Sequence, residues 1–431
     1  MNNSPRITVA GLWHLGCVTA ACCARHFPVT GLDFDTGNIA RLQQGRAPIL
    51  EPGLNELLAA GLAAPTLRFT DDARSACAQA DILWLTYDTP VNDQDESDTA
   101  FVLAQLRRCL PHLPPGALVL VSSQLPVGTL RALEAAHPQF HFACSPENLR
   151  LGRALEAFEK ADRVVVGLRT DAKRALLEQL FAPFTPRVLF MRTESAEMVK
   201  HALNSFLAMS ITFINEIARL CEHAGADARE VAAGLKSDVR IGPRAYLGPG
   251  GPFAGGTLAR DVVTLTHLAA TQGEALELIP AIKRSNDRHR GWALHRLQAR
   301  LGDLRGKTIA VLGLTYTPHT DTLRRSAAVE LCGQLLAVGA SVPAYDPAVK
   351  QLPPDLAAVA LAPTLAAVLR GADAAVVCTE WPEFRQAAWG ELLPTMRQPV
   401  VVDANRFLEK ELSALLEVEH LSVGRGAPGA V

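Results

Sequence analysis

Ile7-Thr8-Val9-Ala10-Gly11-Leu12-Trp13-His14-Leu15-Gly16 is the stretch on which the fold turns, together with Asp33, 22 residues beyond Gly11. A short run rich in β-branched residues ends in a glycine. A second glycine follows five residues on, and a longer helical stretch takes over. That order reads as strand, tight turn and helix. An acid closing the next strand completes a dinucleotide-binding layout: the turn allows close backbone approach, the helix N-terminus faces a pyrophosphate, and the carboxylate takes a ribose diol. Asp33 favours NAD, because a 2′-phosphate would meet its charge. Gly11, Trp13, His14, Leu15, Gly16 and Asp33 are therefore the candidate cofactor residues. One of them departs from the pattern. Trp13 stands where the middle glycine belongs, so an indole has to swing aside or occupy the phosphate site. The competing reading is a Rossmann-type sheet that holds no nucleotide. His14 reads either as a phosphate ligand or as a packed or solvated turn residue.

Outward from the turn, strand-like runs at 7–10, 29–33, 82–86, 117–121, 140–143 and 163–166 alternate with helical patterns. Such alternation predicts a parallel, doubly wound sheet. From residue 194 to about 300 the strands give way to helix after helix, interrupted at 242–256. A helix over 195–225 would span about 45 Å at roughly 1.5 Å per residue. Alternation resumes with strands within 306–313, 340–346, 374–378 and 399–403. The expected fold class is α/β: two Rossmann-like doubly wound domains joined by a central helical segment. The expected boundaries are 1–193, 194–300 and 301–431.

A chain of 431 residues exceeds one hydrophobic core, which agrees with two or three domains. With 42 basic against 44 acidic residues it carries no electrostatic footprint for nucleic acid or a membrane surface. It has no apolar run long enough to span a bilayer. The polar first six residues lead into a strand rather than a signal-peptide core. Nine cysteines, odd in number and scattered without metal-ligand spacing, point to reduced thiols, a cytoplasmic location and no metal site. A small-molecule enzyme or a binding protein remains.

Further motifs follow in order: Pro48-Ile49-Leu50-Glu51-Pro52-Gly53-Leu54, Thr89-Pro90, Pro126-Val127-Gly128-Thr129, Ser145-Pro146-Glu147, Lys200 to Asn204, Asn215-Glu216, Asp238-Val239-Arg240-Ile241-Gly242 and Ala344-Tyr345-Asp346-Pro347. Collinear from about residue 6 to 408, they resemble the UDP-glucose/GDP-mannose dehydrogenase family. That resemblance implies an NAD-binding domain, a central helical dimerisation segment and a C-terminal domain for the nucleotide sugar. It implies two hydride transfers that take C6 of a sugar such as UDP-glucose from alcohol to acid. It also implies a homodimer built on the 195–225 helix and a role in polysaccharide or glycoconjugate synthesis.

The same resemblance assigns site residues. Thr89 and Gln124 fall on the cofactor side. Glu147, Leu149, Lys200, Asn204, Arg240, Phe253, Gly255 and Arg324 fall on the substrate side. Lys200 and Asn204, four apart, share one helix face; with Asp261 they would hold an oxyanion and a catalytic water, with Glu147 beside them. Arg240 matches a residue that reaches substrate, often across a subunit boundary. The family's second oxidation runs through a cysteine: the aldehyde forms a thiohemiacetal, then a thioester that water hydrolyses, and a thiol suits both steps. Thr257 occupies that position, and its hydroxyl is far less acidic. Gln124 replaces a catalytic threonine, Leu151 a general-base glutamate, and Arg260 and Thr317 two lysines. Plain structural readings stand beside these: a solvated helix lysine for Lys200, a loop carboxylate for Glu147, a helix cap for Asp261. Cys144 reads as a buried structural cysteine or, less simply, as a substitute nucleophile. Three functions stay open. One is an NAD-linked oxidoreductase that stops before the acid, or returns its hydride as an epimerase. Another is an inactive homologue that binds a nucleotide sugar or assembles with an enzyme. The third is full oxidation by altered residues.

Overall fold

The computed structural model describes residues 4–92, 96–146, 149, 151–254 and 257–426. The chain forms two compact units, Met1–Leu203 and Asn204–Val431. The first is built on eight strands: β1 Ile7–Ala10, β2 Val29–Leu32, β3 Leu67–Thr70, β4 Ile82–Leu85, β5 Leu118–Val121, β6 His141–Cys144, β7 Val164–Leu168 and β8 Val188–Met191. Their order is β3-β2-β1-β4-β5-β6-β7-β8. Every residue of β1, β2, β4 and β5 is buried, as expected of strands covered by helices on both faces. Successive side chains feed opposite cores. Val9, Trp84 and Leu120 enter one cluster, and Ala10, Leu83, Leu85 and Val121 enter the other, with the period of two that a strand imposes. The sheet is not wholly parallel, as the sequence suggested: β7 runs antiparallel to β6, and β8 follows it in parallel. A strand buried on both faces reads the same in either direction, so composition does not reveal the reversal.

The long helix Thr193–Ala224 is followed by Ala228–Ser237, Leu258–Thr271, Leu278–Arg290 and Trp292–Leu301. The second sheet comprises β9 Ile309–Leu312, β10 Pro343–Tyr345, β11 Ala360–Leu361, β12 Ala374–Val377, β13 Val400–Asp403 and β14 Glu419–Leu421. Its order is β11-β10-β9-β12-β13-β14, parallel throughout. The fold is thus α/β with two Rossmann-like sheets and a long central helix. In each sheet the strand order reverses beside the first strand, and such a switch point leaves a crevice at the C-terminal strand ends where ligands bind.

Candidate active site

The turn after β1 sits at such a switch point. Gly11 has φ +98°, and a Cβ there would lie 2.6 Å from Tyr87, so only glycine fits. A Cβ on Gly16 would lie 1.8 Å from the Gly11 carbonyl oxygen, which is how closely the helix His14–Cys23 rests on the turn. Asp33 accepts the Leu12 amide at 2.7 Å and the Asp35 amide at 3.0 Å. Asn38 donates its side-chain amide to the Leu12 carbonyl at 2.8 Å. The helix opens on Trp13 with no side-chain cap and no acid in its first turn, so its leading N–H groups suit an anion. The Trp13 side chain is 42% exposed, so the indole reaches the surface while the turn keeps its shape. Leu15 is buried in the helix.

His14 is a packed residue. Its Nε2 lies 2.9 Å from Glu51, whose carboxylate also accepts the amides of Gly152 at 2.8 Å and Ala154 at 2.9 Å. Burial alone would raise the Glu51 pKa, but the His14 hydrogen bond and the two amides overcome it and hold the group below its ordinary value. The surroundings fit a dinucleotide. The hydroxyls of Tyr87 and Ser123 are buried without hydrogen-bond partners among the described residues. Phe34, next to Asp33, lies 3.3 Å beneath the Arg108 guanidinium, a flat apolar surface of the kind an adenine accepts. The Thr89 hydroxyl donates to the Gln124 carbonyl at 2.7 Å, joining the loops after β4 and β5.

On the long helix, Lys200 is 9% exposed and Asn204 5%, so Lys200 is not a solvated surface lysine. Asn204 donates its amide to the Asp261 carboxylate, which is fully buried in the first turn of the helix Leu258–Thr271. Asp261 does not cap that helix. Thr257 stands at the N-cap, and its hydroxyl makes no capping hydrogen bond. Thr257 itself is exposed. Cys144 is buried, with Sγ 3.7 Å from the Thr193 carbonyl. Burial, and then the charge of Glu197, push its thiol far above the ordinary range. Those conditions disfavour a thiolate at Cys144.

The segment leading to Thr257 is strapped down by Asn215, which the sequence offered only as part of a motif, and by three residues that sequence reasoning passed over. Asn215 accepts the Gly250 amide at 3.0 Å, and His289 donates to the Gly250 carbonyl at 2.8 Å. Burial, opposed by that hydrogen bond and aided by Arg219, lowers the His289 pKa and keeps the imidazole neutral. Asn286 pairs with both backbone groups of Phe253, and Asn405 accepts the Gly251 amide at 2.7 Å. The three-residue spacing of Asn286 and His289 on one helix face is the only sequence signal for this strap. Phe253 packs into a core with Ala208, Ala259 and Ile282. Arg240 projects into solvent and is held by its own neighbour Asp238 at 2.6 Å. Arg324 is exposed and Leu149 and Gln124 are half-buried. Glu147 and Gly255 lie outside the described residues.

Comparison with known proteins matches three consecutive parts of the chain to models of the UDP-glucose/GDP-mannose dehydrogenase family. They are its NAD binding domain over residues 5–185, its central domain over 194–288 and its UDP binding domain over 310–410. UDP-glucose 6-dehydrogenase TuaD of Bacillus subtilis is 33% identical over 433 residues, covering 98% of this chain and 94% of that protein. UDP-glucose 6-dehydrogenase of Rhizobium meliloti is 35% identical over 438 residues, covering 97% and 99%. Among solved structures, a UDP-glucose dehydrogenase from the archaeon Pyrobaculum islandicum superposes with a TM-score of 0.88 at 31% identity, covering 99% of this chain and 98% of that one. A UDP-D-ManNAc dehydrogenase from Pyrococcus horikoshii superposes with a TM-score of 0.85 at 26% identity, covering 98% and 99%.

Proposed function

Because the chain belongs to the UDP-glucose/GDP-mannose dehydrogenase family, whose members are NAD-dependent dehydrogenases of nucleotide sugars, we propose that it oxidises a UDP-sugar such as UDP-glucose and stops before the uronic acid. The observation that carries this reading is Thr257. It heads its helix one turn before Asp261 and offers a hydroxyl where the second oxidation needs a thiolate. All nine cysteines lie elsewhere, eight buried and one half-buried.

When bound, NAD would supply the acceptor for one hydride. The chain's own groups do the rest. The turn at Gly11 and the uncapped helix start hold the pyrophosphate, and Asp33 takes the ribose. Lys200 and Asn204, four residues apart on one helix, serve the reacting oxygen. Asp261 fixes the Asn204 amide and leaves its carbonyl oxygen to accept a substrate or water proton. Taking a primary alcohol to a carbonyl removes one hydride and one proton and needs no covalent adduct. Going on to the acid by the sulfur route requires a thiol nucleophile, and Thr257 offers only a hydroxyl.

We assign cofactor binding to residues 1–193, pairing of subunits to 194–300 and nucleotide-sugar binding to 301–431. The pairing surface is a stripe on the long helix. Phe206, Phe213 and Leu220 recur every seventh residue and are 60%, 47% and 64% exposed. An apolar seam of that period suits a second copy of the chain. None of the described helices is long and apolar enough to cross a membrane, and we place the enzyme in the cytoplasm.

The clustered replacements Trp13, Gln124, Leu151 and Thr257 favour a second reading: a non-catalytic nucleotide-sugar binder. One experiment separates the two. NAD is titrated against the purified chain by calorimetry, and NADH formed per UDP-glucose consumed is then counted. One NADH per sugar is expected. Two per sugar with uronic acid formed overturns the proposal, and no NAD binding at millimolar concentration leaves the second reading.

A further inference from the structure

The long helix Thr193–Ala224 buries four polar side chains on one face. Glu197, Lys200, His201 and Asn204 fall at i, i+3, i+4 and i+7, and all four are buried. Apolar residues ordinarily fill a buried stripe of that spacing, and a polar group there costs free energy unless it finds partners. Lys200 and Asn204 are accounted for by the reacting oxygen. Glu197 and His201 are occupied elsewhere, within the first unit.

Both reach the loop that leaves β5. The Glu197 carboxylate accepts the Gly128 amide at 2.7 Å and the Leu130 amide at 3.1 Å. These amides open the helix Thr129–Ala136, whose N-cap is Gly128 at φ +92°, with no side chain to cap it. Burial raises the Glu197 pKa against those two bonds; Glu194 adds to the rise and His201 opposes it. One turn along the long helix, His201 donates from Nε2 to the Leu125 carbonyl at 3.3 Å. From the other side Thr89 donates to the Gln124 carbonyl at 2.7 Å. Capping the short helix would account for Glu197 alone. It does not account for His201, whose bond falls on the residue next to Gln124. Nor does it account for the register with Lys200, which lies about 4.5 Å of helix rise from Glu197. Gln124 follows β5 at the C-terminal edge of the sheet, and β5 borders β4, which borders β1. That edge is where a doubly wound sheet takes its ligand.

We propose that Glu197 and His201 are positioning residues that hold Gln124, on the cofactor side of the crevice, in fixed register with Lys200 on the same helix. Both act through Gln124. The helix that serves the reacting oxygen thereby also sets the loop beside the cofactor. This assignment rests on the reading of the chain as an NAD-linked oxidoreductase.

The test is a double-mutant cycle on the full chain, with Glu197→Gln, Gln124→Ala and the two combined. NAD affinity is read by calorimetry, kcat and KM for UDP-glucose by NADH absorbance, and the 124–130 segment by hydrogen exchange. Glutamine keeps the shape of Glu197 but presents an NH2 group to one of the two amides. Faster exchange over 124–130 is therefore expected, with NAD weakened about fivefold and kcat lowered about tenfold at little-changed KM. The double variant should lose no more than Gln124→Ala does alone. Should Glu197→Gln fail to fold, His201→Leu takes its place in the cycle, with smaller effects in the same direction. Additive losses overturn the proposal, because Glu197 then merely supports the fold. So does a Glu197→Gln chain whose loop exchanges faster while NAD affinity and kcat stay unchanged. A wild type that binds NAD but forms no NADH defeats the oxidation instead, and the cycle on NAD affinity then decides the positioning role by itself.

Discussion

In the first sheet the chain leaves β1 through Gly11, at φ +98°, and enters a helix at His14. In the second it leaves β9 through Gly313, at φ +85°, and enters a helix only at Ala327. The two turns share a device. Each glycine is backed by the chain beyond a neighbouring strand, with Tyr87 2.6 Å from a Cβ at Gly11 and Thr379 2.4 Å from one at Gly313. Each turn gives an amide to an aspartate that follows the second strand, Leu12 to Asp33 and Leu314 to Asp346, both at 2.7 Å. There the likeness ends. Asp33 is half-buried and takes one further amide, which leaves acceptor capacity toward the crevice. Asp346 is 2% exposed. It receives the amides of Leu314, Thr315, Ala348 and Val349, the Thr315 hydroxyl and the Trp381 indole N–H. One carboxylate keeps acceptor capacity in reserve and the other is consumed in holding its own loop. The fold alone does not say which.

Substitutions test that contrast, starting with the largest effect. Gly16→Ala drives a methyl into the backbone of the turn and should cost about 3 kcal/mol or more. Gly333, on the second sheet's helix, has nothing within 4 Å of its Cβ position, and Gly333→Ala should stabilise by about 0.5–1 kcal/mol. Urea unfolding of both variants decides; a tolerated Gly16→Ala would break the close-contact account of the first turn. Next, Asp346→Ala should cost about 3 kcal/mol, because it strands several buried donors. Asp33→Ala should cost about 1 kcal/mol while weakening NAD about tenfold, read by calorimetry. Equal stability losses would erase the contrast. The smallest effect is acid sensitivity. The folded Glu51 has a lowered pKa, so the unfolded chain binds the proton first as pH falls. Its contribution is full above the ordinary glutamate range and is lost as pH drops through its lower folded value. In a pH series of melting curves, Glu51→Gln should flatten that acid limb relative to wild type.

The interior of each sheet was legible because strands buried on both faces write themselves as unbroken apolar runs. β3, with Arg68 exposed between Leu67 and Phe69, is an edge strand and lacks that signature. β11 and β14 are two and three residues long and leave no pattern to read. At the site, Gly11, Gly16 and Asp33 could be found because their chemistry is local: a turn, a close approach and an acid at fixed offsets. Asn286, His289 and Asn405 could not. A polar side chain on a helix or in a turn looks solvated until the tertiary fold brings a backbone amide or carbonyl to it, and these three find theirs in a loop 33 to 154 residues away.

The sulfur inventory of the chain has an outcome for its endurance. Burial raises most of its thiol pKa values, to about 12 for Cys22 and Cys332 and higher still for Cys17, and eight of the nine cysteines are buried, with Cys378 half-buried. Alkylating agents and peroxides attack the accessible thiolate. This chain offers them few accessible thiols and should keep its fold through oxidative stress.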